Sequence, residues 1–299
     1  MTKHVIFYSG GIGSYATAKR VIEKEGKENV VLLFTDTKME DEDLYRFINE
    51  SVKHLGCEYI YLADGRTPWE VFEDTKFLGN SRLAKCSHVL KQKVADDYIK
   101  EHYKPHEPNY ILEKINKGKE IVYLQDESEK EKRKLEWELD ERLPAILYLG
   151  IDWTESHRQA APIYNYAPYQ VRFPMCDEPY IDKQQMIQDL EDIGIRQPRL
   201  YELGFAHNNR GGFCVRAGQG HFKNLLDKLP ERYKAHEEKE EYMRESLGKD
   251  VSILRKQKDG VRYNVTLKEF REDVEKNNEK NVDMCDIGGC GCFVTSETE

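Results

Sequence analysis

Short apolar runs alternate with amphipathic stretches through the first third of the chain, and that alternation sets the expected architecture. His4-Val5-Ile6-Phe7-Tyr8 and Val30-Val31-Leu32-Leu33-Phe34 are continuous apolar runs, as strands buried on both faces require. Between them, Ala16, Ala18, Val21 and Ile22 recur at helical spacing, so a helix is expected over about 15–25. Leu44, Phe47, Ile48, Val52 and Leu55 repeat the pattern and predict a helix over about 43–55. Tyr59-Ile60-Tyr61-Leu62 reads as a third strand, followed by an Asp64-Gly65 turn and a helix from near Pro68. A further helix is expected over about 87–103. Ala145-Ile146-Leu147-Tyr148-Leu149 and Tyr169-Gln170-Val171-Arg172-Phe173 then return to strand patterning. Such βαβ repetition implies an α/β fold with a doubly wound, mainly parallel sheet. Beyond about 182 the pattern turns mainly helical, over about 184–193, 221–229 and 232–247.

The division expected from this pattern is an α/β unit over 1–178 and a helical C-terminal region over 179–299 ending in a cysteine-rich tail. The first unit carries an inserted stretch at about 126–142, where thirteen of seventeen residues are charged with both signs mixed, the signature of a solvated helix.

Composition narrows the setting. The chain has 299 residues, 39% hydrophobic and 34% charged, with a formal net charge of −9. No apolar run approaches the roughly 20 residues a membrane span needs, and no signal-peptide pattern opens the chain, so a cytoplasmic protein is expected. The negative charge argues against a globally electrostatic nucleic-acid binder. Seven cysteines, an odd number, then read first as metal ligands or reactive thiols rather than disulfides.

The chemistry concentrates at strand ends. Ser9-Gly10-Gly11-Ile12-Gly13-Ser14 joins the first strand to the first helix, where turn amides and the helix dipole favour an anion. Three readings fit this loop: a tight turn, a dinucleotide fingerprint of the G-x-G-x-x-A form with Asp36 as its acid, and a pyrophosphate-binding S-G-G-x-x-S loop. No Gly-Lys-Ser/Thr follows, so it is not a Walker loop. Thr35-Asp36-Thr37-Lys38-Met39-Glu40 closes the second strand, Cys86-Ser87-His88-Val89-Leu90-Lys91 opens a helix, and Asp152-Trp153-Thr154-Glu155-Ser156-His157-Arg158 follows the fourth strand. Parallel sheets bind ligands at these carboxyl ends.

Taken together, these motifs resemble those of the adenine-nucleotide α-hydrolase (PP-loop ATP pyrophosphatase) superfamily, and specifically of PAPS-reductase-like proteins, over roughly residues 3–175. The resemblance implies a Rossmann-like fold of PP-loop type in which Ser9, Gly10, Gly11, Gly13 and Ser14 hold phosphate. Thr35, Asp36, Thr37, Glu40 and Cys86 would lie by the nucleotide, and Lys91, Arg158 and Asp36 would carry the catalysis. It also implies ATP or a PAPS-like adenine nucleotide as ligand, with Mg²⁺. The expected reaction is attack at the α-phosphate, with adenylation coupled to sulfur transfer as its specific version and nucleic acid among the acceptors. The alternatives are a thiol-dependent PAPS or adenylyl-sulfate reductase and a nucleotide-binding or sensing module without catalysis. The chain departs from the family twice. ATP-using members read S-G-G-x-D-S where this chain has Gly13, and the E-C-G-L-H ending of true PAPS reductases is absent.

The second cluster is His207-Asn208-Asn209-Arg210-Gly211-Gly212-Phe213-Cys214 with Cys285, Cys290 and Cys292 in the tail. Soft ligands among glycines suit zinc or an iron–sulfur cluster held by Cys214, Cys285, Cys290 and Cys292. Buried small residues and a redox thiol pair are the competing readings. Acceptor identity and oligomeric state stay open at this level.

Overall fold

The computed structural model describes residues 2–80, 83–104, 144–167, 169–258 and 261–277. The charged stretch at 126–142 and the cysteines at 285, 290 and 292 lie outside them.

Five parallel strands form the central sheet: β1 (Lys3–Phe7), β2 (Val30–Asp36), β3 (Glu58–Ala63), β4 (Ala145–Tyr148) and β5 (Gln170–Arg172), in the order β3-β2-β1-β4-β5. This is a Rossmann-like α/β fold. Alternation along β1 explains why both faces are covered. Ile6 and Tyr8 pack with Leu32, Phe34 and Tyr148 under helices α1 (Ile12–Glu25) and α2 (Glu42–Leu55). Val5 and Phe7 pack with Val31, Leu33 and Leu147 on the opposite side. The chain winds from β1 toward β3 in one direction and through β4 to β5 in the other. A crevice therefore opens at the carboxyl ends of β1 and β4, where the winding reverses.

Helix α3 (Pro68–Thr75) is capped by Thr67 and Glu70, whose side chains and backbone N–H groups satisfy each other. The helical run after it is not uniform: Lys85–Ser87 leads into a π-helical segment at His88–Lys93 and then α4 (Val94–His102). A short helix α5 (Ala160–Asn165) precedes β5, and α6 (Lys183–Asp192), α7 (Arg199–Glu202), α8 (Gln219–Lys228), α9 (Pro230–Leu247) and α10 (Leu267–Asn277) build the C-terminal part. The sequence pattern missed an antiparallel hairpin, β6 (Leu254–Lys258) with β7 (Val261–Val265), and it missed α10. Asp259-Gly260 ahead of the alternating Val261-Arg262-Tyr263-Asn264-Val265 run is the turn signal that points to a hairpin. Glu240 of α9 fastens it from beneath, accepting from the backbone N–H of Ile253 at 2.8 Å and of Leu267 at 2.5 Å. Among the described residues no helix is long and apolar enough to cross a membrane.

Two sets of contacts seat the C-terminal part on the sheet. The carboxylate of Asp41 caps α2 and accepts from Arg199 at 2.7 Å and from Arg232 at 2.9 Å. The second is apolar: Trp69, Phe72 and Leu90 share one core with Phe213, Phe222, Tyr233, Leu267 and Phe270. Inside that core the His236 ring stacks on Phe213 at 4.0 Å between centroids, and its Nδ1 accepts from the Trp69 indole N–H at 3.0 Å.

Burial, with help from the nearby Lys239 and Arg232 charges, pushes the His236 imidazole down from the ordinary 6.5 to about 3. The folded chain therefore keeps it neutral while the unfolded chain protonates it below about 6.5. Its contribution is complete above that pH and is lost as pH falls toward 3. His236→Phe is expected to cost about 1–2 kcal/mol at pH 8, where Trp69 loses its acceptor. It should also remove a slope of up to about 1.4 kcal/mol per pH unit between pH 6 and 4. Urea titrations of both proteins across that range measure the difference, and parallel pH profiles would contradict it.

Candidate functional site

The loop after β1 is shaped for an anion. Gly10 holds φ at +72°, and a Cβ there would meet Leu44 at 3.0 Å and Ile48 at 3.1 Å. Only glycine satisfies both constraints. Gly11 caps α1, and Ser14 secures the turn by donating its Oγ proton to the Gly11 carbonyl at 2.8 Å. The backbone N–H groups of Ile12, Gly13 and Ser14 open α1 and have no partners within the helix. No acid stands in the first turn, so the positive end of this 14-residue helix is uncompensated on its own element. Ser9, Gly11, Ile12, Gly13 and Ser14 all line the crevice.

The loop after β4 presses against this turn backbone to backbone. A Cβ on Gly150 would lie 3.0 Å from the Gly13 carbonyl and 3.0 Å from the Ser14 nitrogen, and one on Gly13 would lie 3.3 Å from the Gly150 oxygen. Asp152 then caps a 3₁₀ turn at Trp153–Arg158, accepting from the Thr154 N–H at 2.9 Å. That turn delivers Asp152, Glu155 and Arg158 to the crevice, with Arg158 paired to Glu155 at 2.5 Å.

Lys91 reaches the crevice from the π-helical segment, whose wider turn shifts the register of its side chains relative to an α-helix. Its ammonium is almost fully buried and lies 3.3 Å from Glu40. Glu40 also accepts from the Thr37 hydroxyl at 2.9 Å and from the backbone N–H of Arg210. Asp36 is turned to a different set of partners, the hydroxyls of Tyr61 at 2.6 Å and Tyr45 at 2.9 Å and the Lys38 N–H at 2.8 Å. Burial opposes its charge, but these donors together hold the carboxyl below the ordinary carboxylate range. Asp36, Thr35, Thr37 and Glu40 therefore stand behind the crevice wall rather than among its lining residues.

The outer wall comes from the C-terminal part: Lys183, Met186, Tyr201 and the segment 206–209. Asn208 donates its amide N–H to the Gly10 carbonyl at 2.8 Å, so this wall fixes a peptide of the anion loop. A Cβ on Gly11 would meet the Tyr201 hydroxyl at 3.0 Å, which places that hydroxyl over the loop. None of Lys183, Tyr201 or Asn208 was selected by motif. Only Asn208 stood in a stretch the sequence marks out, and the signal there was read as metal binding. Cys86 and Cys214 sit in the apolar core shared with the C-terminal part. Among the described residues no group of three His, Cys, Asp or Glu side chains could hold a metal, and the other three candidate ligands lie outside those residues.

No protein-family model and no curated protein matches the chain. Among solved structures it is similar to an NH3-dependent NAD synthetase from Campylobacter jejuni subsp. jejuni in complex with the nitrate ion. The likeness has 12% identity and a TM-score of 0.31, over 83% of this chain and 84% of that one. At those values it carries no weight for function.

The backbone contact between the two loops has a direct test. Gly150→Ala is expected to lower unfolding stability by about 1–3 kcal/mol, since its Cβ meets backbone that cannot rotate away. Gly13→Ala, with a single contact, should cost less. Chemical denaturation reads both, and wild-type stability for Gly150→Ala would mean the loops are further apart than described.

Proposed function

We propose that the chain is a nucleotide-binding enzyme of the PAPS-reductase-like, PP-loop class that acts at the α-phosphate of ATP or a related adenylyl nucleotide. The observation that carries this reading is the convergence on one crevice of the α1 N-terminus, its serine- and glycine-rich loop, Lys91 and Arg158. A polyphosphate supplies oxygens for the amides at the α1 N-terminus and negative charge toward the cations that line the crevice.

Each group then has a role in cleavage. The amides of Ile12, Gly13 and Ser14 hold the terminal phosphates. As an acceptor oxygen bonds to the α-phosphorus and the bond from that phosphorus to the α,β-bridging oxygen breaks, the adenylyl group passes to the acceptor and negative charge grows on the departing pyrophosphate. Lys91 and Arg158 oppose that charge, in positions already set by Glu40 and Glu155, so little reorganisation accompanies the reaction. Asp152 and Glu155 are the carboxylates that line the crevice, and their hard oxygens suit Mg²⁺ together with phosphate oxygens. When bound, the ion would neutralise part of the phosphate charge. No step is assigned to an iron–sulfur or zinc centre.

The products decide the reading. Phosphorus NMR of ATP turnover is expected to show AMP and pyrophosphate, whereas ADP with orthophosphate would overturn attack at the α-phosphate. Sulfite released from PAPS would replace it with the reductase reading. Binding without any product would leave a sensing module. Lys91→Met and Arg158→Ala should each lower turnover by about 10²–10³-fold.

A further inference from the structure

Among the described residues, Lys183 is the lysine or arginine of the crevice that faces no carboxylate within ion-pair distance. Lys91 faces Glu40 at 3.3 Å and Arg158 faces Glu155 at 2.5 Å. Lys183 Nζ touches only a backbone carbonyl, that of Ala206, at 3.4 Å, and among the described residues no carboxylate lies within ion-pair distance of it. Its position is also electrostatically unfavourable. Lys183 is the first residue of α6, a ten-residue helix, so it stands at the positive end of its own dipole. The carboxylate of the neighbouring Asp182 is engaged in capping that helix, accepting from the Gln185 N–H at 2.8 Å.

The same crevice receives the N-terminus of α1, which carries no acid in its first turn. The N-terminus of α1, the paired cations Lys91 and Arg158, and Lys183 therefore face a single space, with Asp152 and Glu155 as its lining carboxylates. Repulsion of this kind is relieved by a multiply charged anion, and more completely as the anion's charge rises. Lys183 is exposed and long, so its ammonium can leave the Ala206 carbonyl for a ligand oxygen without disturbing the core.

We infer that Lys183 is a specificity-determining residue that reads the length of the polyphosphate, engaging the terminal phosphates of a nucleoside triphosphate and discriminating it from the monophosphate. This rests on the reading of the crevice as a nucleotide site. It also gives the C-terminal part a share in ligand choice at the phosphate end, besides any contact it makes with an acceptor.

Calorimetric titration of the full chain with ATP, inorganic pyrophosphate and AMP tests the assignment. Lys183→Met is expected to weaken ATP and pyrophosphate about tenfold, the value of one lost charge-assisted contact. AMP should change by less than about twofold on the same basis, and Lys183→Arg should restore most of the loss. Unchanged ATP and pyrophosphate affinity in Lys183→Met, or an equal loss for AMP, would overturn the assignment while leaving the nucleotide site standing. Failure of the wild-type chain to bind ATP and pyrophosphate would instead overturn the proposed function, and this inference with it. Lys183 is exposed at a helix start, so the variants should fold, and their thermal melts serve as the control.

Discussion

The buried Glu40 carboxylate is the join on which the crevice depends. Its two oxygens are shared among the Thr37 hydroxyl, the Lys91 ammonium and the backbone N–H of Arg210. Those partners come from the end of β2, the π-helical segment and the C-terminal part. Removing the carboxylate would leave a lysine buried in a wall without its counter-charge, a cost of several kcal/mol for groups of this kind. The arrangement explains why Lys91 can be both buried and poised. The Glu40 pairing offsets its desolvation, and the fixed geometry presents the ammonium to the crevice without a search among rotamers.

A second carboxylate does for the halves of the molecule what Glu40 does for the crevice. Asp41, the next residue, caps α2 and accepts from Arg199 and Arg232, both from the C-terminal part. Two adjacent acids thus bind the turn after β2 to elements roughly 160 to 190 positions away, as the paired residue numbers show. Glu40 ends the Thr35–Glu40 stretch that closes β2, Asp41 follows it, and the family resemblance implies a ligand contact for Glu40. The hydrogen bonds described for both acids run to protein groups.

How much was legible follows from the range of each interaction. Strands β1, β2 and β4 were readable because burial on both faces forces continuous apolar runs, and α2 because Leu44, Phe47, Ile48 and Leu55 repeat at helical spacing. Ser9, Gly11, Gly13 and Ser14 could be picked out because their chemistry is contiguous, and Lys91 and Arg158 because each stands at a fixed spacing in a short motif. Lys183 and Tyr201 carry no local signal, and Asn208 stands in a glycine-rich stretch whose pattern points to metal binding. They enter the crevice only because the C-terminal part folds back over the carboxyl ends of the strands, a consequence of the core built on Trp69, Phe213 and Phe222. The hairpin was missed for a different reason: its first strand, Leu254-Arg255-Lys256-Gln257-Lys258, does not alternate, and among the described residues of the hairpin only Leu254 and Val265 are buried.

Gly13 shows how a local reading and a packing reading can assign opposite meanings to one residue. Compared with loops that carry an acid at this position, glycine looks like the loss of a catalytic group. In the fold it is the point where two loops touch, with the Gly150 carbonyl 3.3 Å from where a Cβ would stand and the reciprocal approach at 3.0 Å. A side chain at 13 would crowd that carbonyl, which would have to give slightly to admit it. The close approach brings the turn that carries Asp152, Glu155 and Arg158 to the mouth of the anion loop. Carboxylates therefore do share the crevice with the loop after β1, supplied by the turn after β4 rather than by the loop itself. The glycine is accounted for by that geometry, and its presence is no argument that chemistry at the loop has lapsed.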